Sequence, residues 1–151
     1  MKKVFLLADD DADDVEMFHE ALREIDSSIT LYTAWDGKDA LEKLNNKDLE
    51  QPQIIFLDIN MPGMNGWQCL TILKSHVLFR HIPVIVYSTS SHQRNTDIAL
   101  DLGALCFFTK PSDFSELKSI LEVLVNNLNS DLLGAISKFN AIKFKKVFEH
   151  S

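Results

Sequence analysis

The chain has 151 residues, enough for one domain around a single core, and its 46% apolar and 25% charged residues are those of a globular protein. Its 15 basic against 22 acidic residues give a formal charge of -7, which disfavours non-specific binding to nucleic acid. No stretch is long enough to span a membrane, and the apolar start, Val4 to Ala8, is too short for a signal peptide and runs straight into acid.

Five apolar runs follow one another, each leading into a candidate helix. The first, "VFLLA", ends at Ala8 and is followed by Asp9, Asp10, Asp11, Asp13 and Asp14. Carboxylates this close repel one another, so the cluster needs a compensating cation. Asp13 and Asp14 open a helix, where they suit free N–H groups and the macrodipole; Asp11 either caps that helix or joins the acidic rim. Val15, Phe18, Leu22 and Ile25 form its apolar face. The second run, "SITLYTA", ends at Ala34. Asp36 is the natural N-cap of the helix after it, which carries Ala40, Leu41 and Leu44.

The third run, Ile54 to Leu57, delivers Asp58 at its end. "INMPGMNG" follows, a loop shaped by Pro62, Gly63 and Gly66, and then a helix with Leu70 and Leu73 inward. The fourth, "IPVIVYSTS", ends near Ser88 and Thr89. A helix over about residues 92–102 then stops at Gly103, a natural C′ residue. The fifth, "ALCFFTK", ends at Lys110. Asp113 and Glu116 form a capping-box pattern before a helix whose core stripe is Leu117, Ile120, Leu121, Leu124, Val125 and Leu128. Cys69 and Cys106 have neither metal-ligand nor redox-pair spacing, which fits two buried thiols in a reducing compartment and a cytoplasmic location.

Strand and helix alternating five times predict an α/β, doubly wound fold: a parallel sheet with right-handed crossovers and helices on both faces. Ligands of such sheets bind beyond the carboxyl ends of the strands. Those ends carry Asp9, Asp10, Asp58, Ser88, Thr89 and Lys110. Asp9, Asp10 and Asp58 together form a hard-oxygen set suited to Mg²⁺. Lys110 can pair with Asp58 and with an anion formed on it, and the Ser88 hydroxyl can donate to a phosphoryl oxygen. A carboxylate nucleophile, metal carboxylates, a hydroxyl and a lysine describe phosphoryl transfer to an aspartate.

In these residues the chain resembles the receiver domain of two-component response regulators, of the stand-alone chemotaxis type. The matching features are the acidic pair Asp9-Asp10, Asp58 in "LDINMPGMNG", Ser88 after "PVIVY", and Lys110 in "TKP", over roughly residues 3 to 128. The resemblance implies a five-stranded sheet of order 2-1-3-4-5. It implies that Asp58 accepts a phosphoryl group from a histidine kinase. Asp10, Asp58 and the Asn60 carbonyl would hold Mg²⁺, with Asp9 acting through water. Ser88 and Lys110 would hold phosphoryl oxygens, and Lys110-Pro111 would be cis. Ser88 and an aromatic residue at Phe107 would form the activation switch. Phe107 lacks the tyrosine hydroxyl of many relatives, so its alternative is a plain core residue.

Residues 1–129 are then expected to be the receiver domain, and 130–151 a helical extension with no separate output domain. The extension mixes Leu132, Leu133, Ile136, Phe139, Ile142, Phe144, Val147 and Phe148 with four lysines. It either packs on its own domain or meets a partner or second copy in a homodimer. The expected function is a phosphoacceptor switch rather than an enzyme. It would take its phosphoryl group from a histidine kinase or phosphotransferase and act on an unknown output protein, without nucleic acid or membrane. The alternatives are a phosphorelay shuttle, a phospho-aspartate phosphatase, for which Asp9 and Asp11 have the formal Asp-x-Asp spacing, and a flavodoxin-like nucleotide binder.

Overall fold

A computed structural model of the chain describes residues 2–89, 92–139 and 142–143. Five strands, β1 (Val4–Ala8), β2 (Thr30–Ala34), β3 (Ile54–Leu57), β4 (Val84–Ser88) and β5 (Cys106–Thr109), alternate with α1 (Ala12–Ile25), α2 (Gly37–Asn45), α3 (Gly66–Ser75), α4 (Gln93–Asp101) and α5 (Phe114–Asn126). The five strands are parallel in the order β2-β1-β3-β4-β5. No helix among the described residues is long and apolar enough to cross a membrane.

Side-chain alternation along each strand divides the core in two. Phe5 and Leu7, Ile54 and Phe56, Ile85 and Tyr87, and Cys106 and Phe108 face α1 and α5, meeting Phe18, Leu22, Leu117 and Leu121. Leu6 and Ala8, Ile55 and Leu57, Val84 and Val86, and Phe107 face the other way, toward Ala40, Leu70, Leu73 and Ala99 of α2, α3 and α4. The unbroken apolar runs of β1, β3 and β4 are buried along their whole lengths because both faces are covered, whereas β2 lies at the edge and is half-exposed.

The register is what positions the functional end. Ala8 lies opposite both Ala34 and Leu57, so β1, β2 and β3 finish level. The hydrogen-bonded ladder then runs one residue further. Asp9 N–H donates to the Ala34 carbonyl at 2.8 Å, Asp58 N–H to the Ala8 carbonyl at 2.9 Å, and Lys110 N–H to the Ser88 carbonyl at 2.8 Å. Backbone pairing thus sets Asp58 beside Asp9 and places Lys110 two strands further along the same end of the sheet.

Three local details differ from the sequence-based expectations. Asp113 caps α5 by accepting from the N–H and hydroxyl of Ser115, both at 2.9 Å, so the short Asx-type turn takes the place of a box with Glu116. A capping box does form at α3, between Asn65 and Gln68. No peptide bond among the described residues is cis, so Lys110-Pro111 keeps the trans form that X-Pro bonds intrinsically favour.

The segment expected to continue as helix does so only briefly. α6 (Leu132–Ile136) is followed by β6 (Ile142–Lys143), which pairs antiparallel with β5 and adds a sixth strand to the sheet. Pairing places Ile142 opposite Phe108 and buries it in the α1/α5 half of the core, together with Ile136. The apolar spacing beyond Ile136 was too irregular for one helical face, and the strand edge of β5 offered those residues unpaired backbone groups. The expected contributions of Phe144, Val147 and Phe148 lie outside the described residues.

Candidate functional site

At the carboxyl ends of β1, β3 and β5, three acidic side chains converge on one ammonium. Lys110 Nζ lies 2.8 Å from Asp9 Oδ2, 2.9 Å from Asp14 Oδ2 and 3.2 Å from Asp58 Oδ2. The Lys110, Asp9 and Asp58 side chains are almost entirely buried, at 6%, 0% and 7% exposure, while Asp14 keeps 27%. The ammonium also sits 5.2 Å from the centre of the Tyr87 ring, close enough for the ring's negative face to attract it.

The loops hold the remaining carboxylate oxygens. Asp9 Oδ1 accepts from the Asp11 N–H at 2.9 Å, and Asp58 Oδ1 from the Asn60 N–H at 3.0 Å. Asp11 itself caps α1, accepting from the N–H groups of Asp13 and Asp14. Of the two readings open for Asp11, the cap is therefore the one the structure adopts. Gly66 has a specific reason to lack a side chain, since a Cβ there would collide with the backbone of Asp58 and Ile59. The start of α3 thereby packs directly beneath the strand end that presents Asp58.

Carboxylate oxygens of Asp9, Asp10 and Asp58 all lie within 4.8 Å of one another. Asp10 is the exposed member. One lysine cannot neutralise this set together with Asp14. Burial raises the Asp9 carboxyl to about 6, even though Lys110 and the Asp11 N–H pull it down. Burial alone would lower Lys110, but its contacts with Asp9 and Asp14 outweigh that and hold it above the ordinary lysine range. The site carries surplus negative charge lined by hard oxygens, and that donor chemistry fits a divalent cation.

Asp9, Asp10, Asp58 and Lys110 are thus brought together. Ser88 is fully buried at the end of β4, beside Thr109. Asn60 is exposed, in the loop after Asp58 and between the buried Ile59 and Met61. Phe107 points to the α2/α3/α4 side and is completely buried. Cys69 and Cys106 are buried, and burial pushes both thiols up to about 12. Asp14 corrects the sequence-based reading: it does more than start a helix. Its position three residues after the Asp11 cap was visible, but its partner arrives from 96 residues away, and no local pattern signals that.

Tyr87 is the other residue that sequence reasoning passed over. Its ring packs edge-on against Phe18 and Phe56, yet its buried hydroxyl has no hydrogen-bond partner among the described residues. An unsatisfied buried polar group costs about 1–3 kcal/mol. Tyr87→Phe keeps the ring under Lys110 and removes that cost. The variant is expected to unfold at a higher temperature than the wild type; a clear loss of stability in a thermal melt would show that the hydroxyl is paired.

Comparisons with known proteins agree with this geometry. Residues 5–122 match the family model described as the response regulator receiver domain. A protein-glutamate methylesterase/protein-glutamine glutaminase of Methanococcoides burtonii is 33% identical over 145 residues, 93% of this chain but 40% of its own length. The chain therefore spans less than half of that relative. Response regulator Rcp1 of Synechocystis sp. is 27% identical over 124 residues, covering 80% of this chain and 84% of its own. The crystal structure of the Mn²⁺-bound form of Rcp1 superposes with a TM-score of 0.72 at 26% identity, covering 81% of this chain and 91% of that one. The phosphorylated cyanobacterial phytochrome response regulator RcpA gives 0.74 at 28% identity, with 81% and 90% covered.

Proposed function

The chain belongs to the response regulator receiver domain family of two-component signalling, and from that premise we propose that it is a Mg²⁺-dependent phosphoacceptor switch with Asp58 as the phosphorylated residue. The observation that carries the proposal is the buried Asp58 carboxylate held between Lys110 and the Asn60 N–H, within 4.8 Å of Asp9 and Asp10.

In the proposed reaction an Asp58 carboxylate oxygen attacks the phosphorus of a phosphohistidine. The P–N bond breaks, an acyl phosphate forms, and the departing imidazole takes a proton from solvent. Asp9, Asp10, Asp58 and the Asn60 carbonyl would hold Mg²⁺, which when bound neutralises charge on the transferring group. Lys110 is held 3.2 Å from Asp58 before the reaction, so its charge already stands where the phosphoryl group would arrive. Ser88 is assigned the second phosphoryl contact, and with Phe107 it forms the proposed switch. Phe107 has no hydroxyl to exchange hydrogen bonds, so its part would be a change of packing alone.

The proposed donor is a histidine kinase or phosphotransferase, and the signal would pass on by protein contact rather than by turnover of an external substrate. Two readings separate in one experiment. The protein is incubated with acetyl phosphate, with Mg²⁺ or with a chelator, and its intact mass is followed. Gain of one phosphoryl group only with Mg²⁺ supports the switch. Steady release of phosphate from external phosphomonoesters would instead favour a phosphatase.

A further inference from the structure

We propose that Asp14 is a positioning residue for Lys110, and that its carboxylate is the contact Lys110 gives up when a phosphoryl group arrives on Asp58. The inference rests on the phosphoacceptor reading above and extends it to a residue outside the metal cluster.

A lysine ammonium has three N–H donors. In this structure Asp9, Asp14 and Asp58 each lie within hydrogen-bond reach of it, so no donor is left for a further acceptor. A phosphoryl group on Asp58 brings several acceptor oxygens, so an ammonium turned toward it gives up one of its two other contacts. Exposure identifies which one. The Asp9 side chain has no contact with solvent, so losing the lysine would strand a buried charge there, whereas Asp58 exchanges its carboxylate charge for the larger charge of the phosphoryl group, which draws the ammonium toward it. Asp14 is 27% exposed, and water can replace the ammonium there at small cost. Asp14 also lies outside the three-carboxylate set that could hold a metal.

Geometry gives the direction of the effect. The two shortest contacts, to Asp9 at 2.8 Å and Asp14 at 2.9 Å, hold the ammonium on the α1 side, while Asp58 is furthest at 3.2 Å. Asp14 therefore competes with Asp58 and with anything attached to it. The contact acts as a brake on phosphorylation and shortens the life of the phosphorylated form. Asp13 provides the matched control. It removes the same charge from the same helical turn, and it has no ion pair with Lys110.

The test compares wild type, Asp14→Asn and Asp13→Asn, each as the full chain and each checked for folding by thermal melt. Acetyl phosphate and Mg²⁺ are added, and intact mass gives the rates of phosphoryl gain and loss. Asp14→Asn should gain the group several-fold faster than Asp13→Asn and lose it several-fold more slowly. The ¹⁵N signal of the Lys110 ammonium, read before any phosphorylation, should be displaced in Asp14→Asn and should overlay the wild type in Asp13→Asn. Equal rates in the two variants, slower gain in Asp14→Asn, or an undisplaced ammonium signal would overturn the inference while leaving Asp58 as acceptor. A wild-type protein that gains no phosphoryl group would take down both.

Discussion

Lys110→Ala is expected to lower the stability of the metal-free protein by about 3 kcal/mol at neutral pH, the lower end of what breaking a buried ion pair costs. The loss stays at that lower end because Asp14, one of the three partners, is partly solvated. Asp9 and Asp58 have no such recourse. Their side chains are 0% and 7% exposed, and without the lysine two buried carboxylates face each other across the strand ends. The pH dependence has a definite sign. Burial already raises Asp9 from an ordinary 3.8 to about 6, and removing Lys110 removes a group that pulls it down. A carboxyl raised on folding binds more protons in the native state, so stability falls as pH rises through the window between the two values. Without Lys110 the Asp9 value lies above about 6, so the variant's deficit is greatest above that higher value and shrinks as pH falls toward about 6, below which Asp9 is protonated in both proteins. Added Mg²⁺ should shrink it as well, by supplying the missing positive charge. Thermal melts of wild type and variant across pH 4 to 8, with Mg²⁺ or a chelator, read both trends. A deficit that neither acid nor Mg²⁺ relieves would mean that the lysine acts through packing alone.

The second large effect is on metal binding. Asp10→Ala should weaken Mg²⁺ binding on the order of 10- to 100-fold or more, since even outer partners of a metal site cost that much. Asp10 is the exposed member of the three-carboxylate set, so its removal disturbs no buried packing and the folded state should survive. Calorimetric titration gives the affinity directly. Trp67, half-buried on the first turn of α3 just after the Asp58 loop, offers a fluorescence signal as a check. Equal affinity in the two proteins would remove Asp10 from the metal site.

Much of the fold was legible in the sequence, and for a physical reason. Strands covered on both faces must be apolar at every position, so "VFLLA", "IIFL" and "VIVY" announce a buried parallel sheet. Once the sheet is parallel, its carboxyl ends must gather Asp9, Asp58, Ser88 and Lys110, and only the register remained to be seen. What was not legible depended on tertiary partners. The Asp14 contact arises because a lysine at the end of the last parallel strand reaches back to α1. Tyr87 reads as one more large apolar residue in β4, and its orphaned hydroxyl exists only within the packed core. The stretch after Ile136 misled for a related reason. Its apolar residues satisfied helical composition, but burial on the sheet edge called for a turn and a short antiparallel strand.

The most direct measurement concerns the acceptor itself. Wild type and Asp58→Asn are treated in parallel with acetyl phosphate and Mg²⁺, and their intact masses are compared. Asparagine keeps the size and the N–H contact from Asn60 but removes the nucleophilic carboxylate. The wild type should gain a single phosphoryl group and Asp58→Asn none, with both proteins folded by circular dichroism. A phosphoryl group of equal yield on Asp58→Asn would contradict the assignment of Asp58.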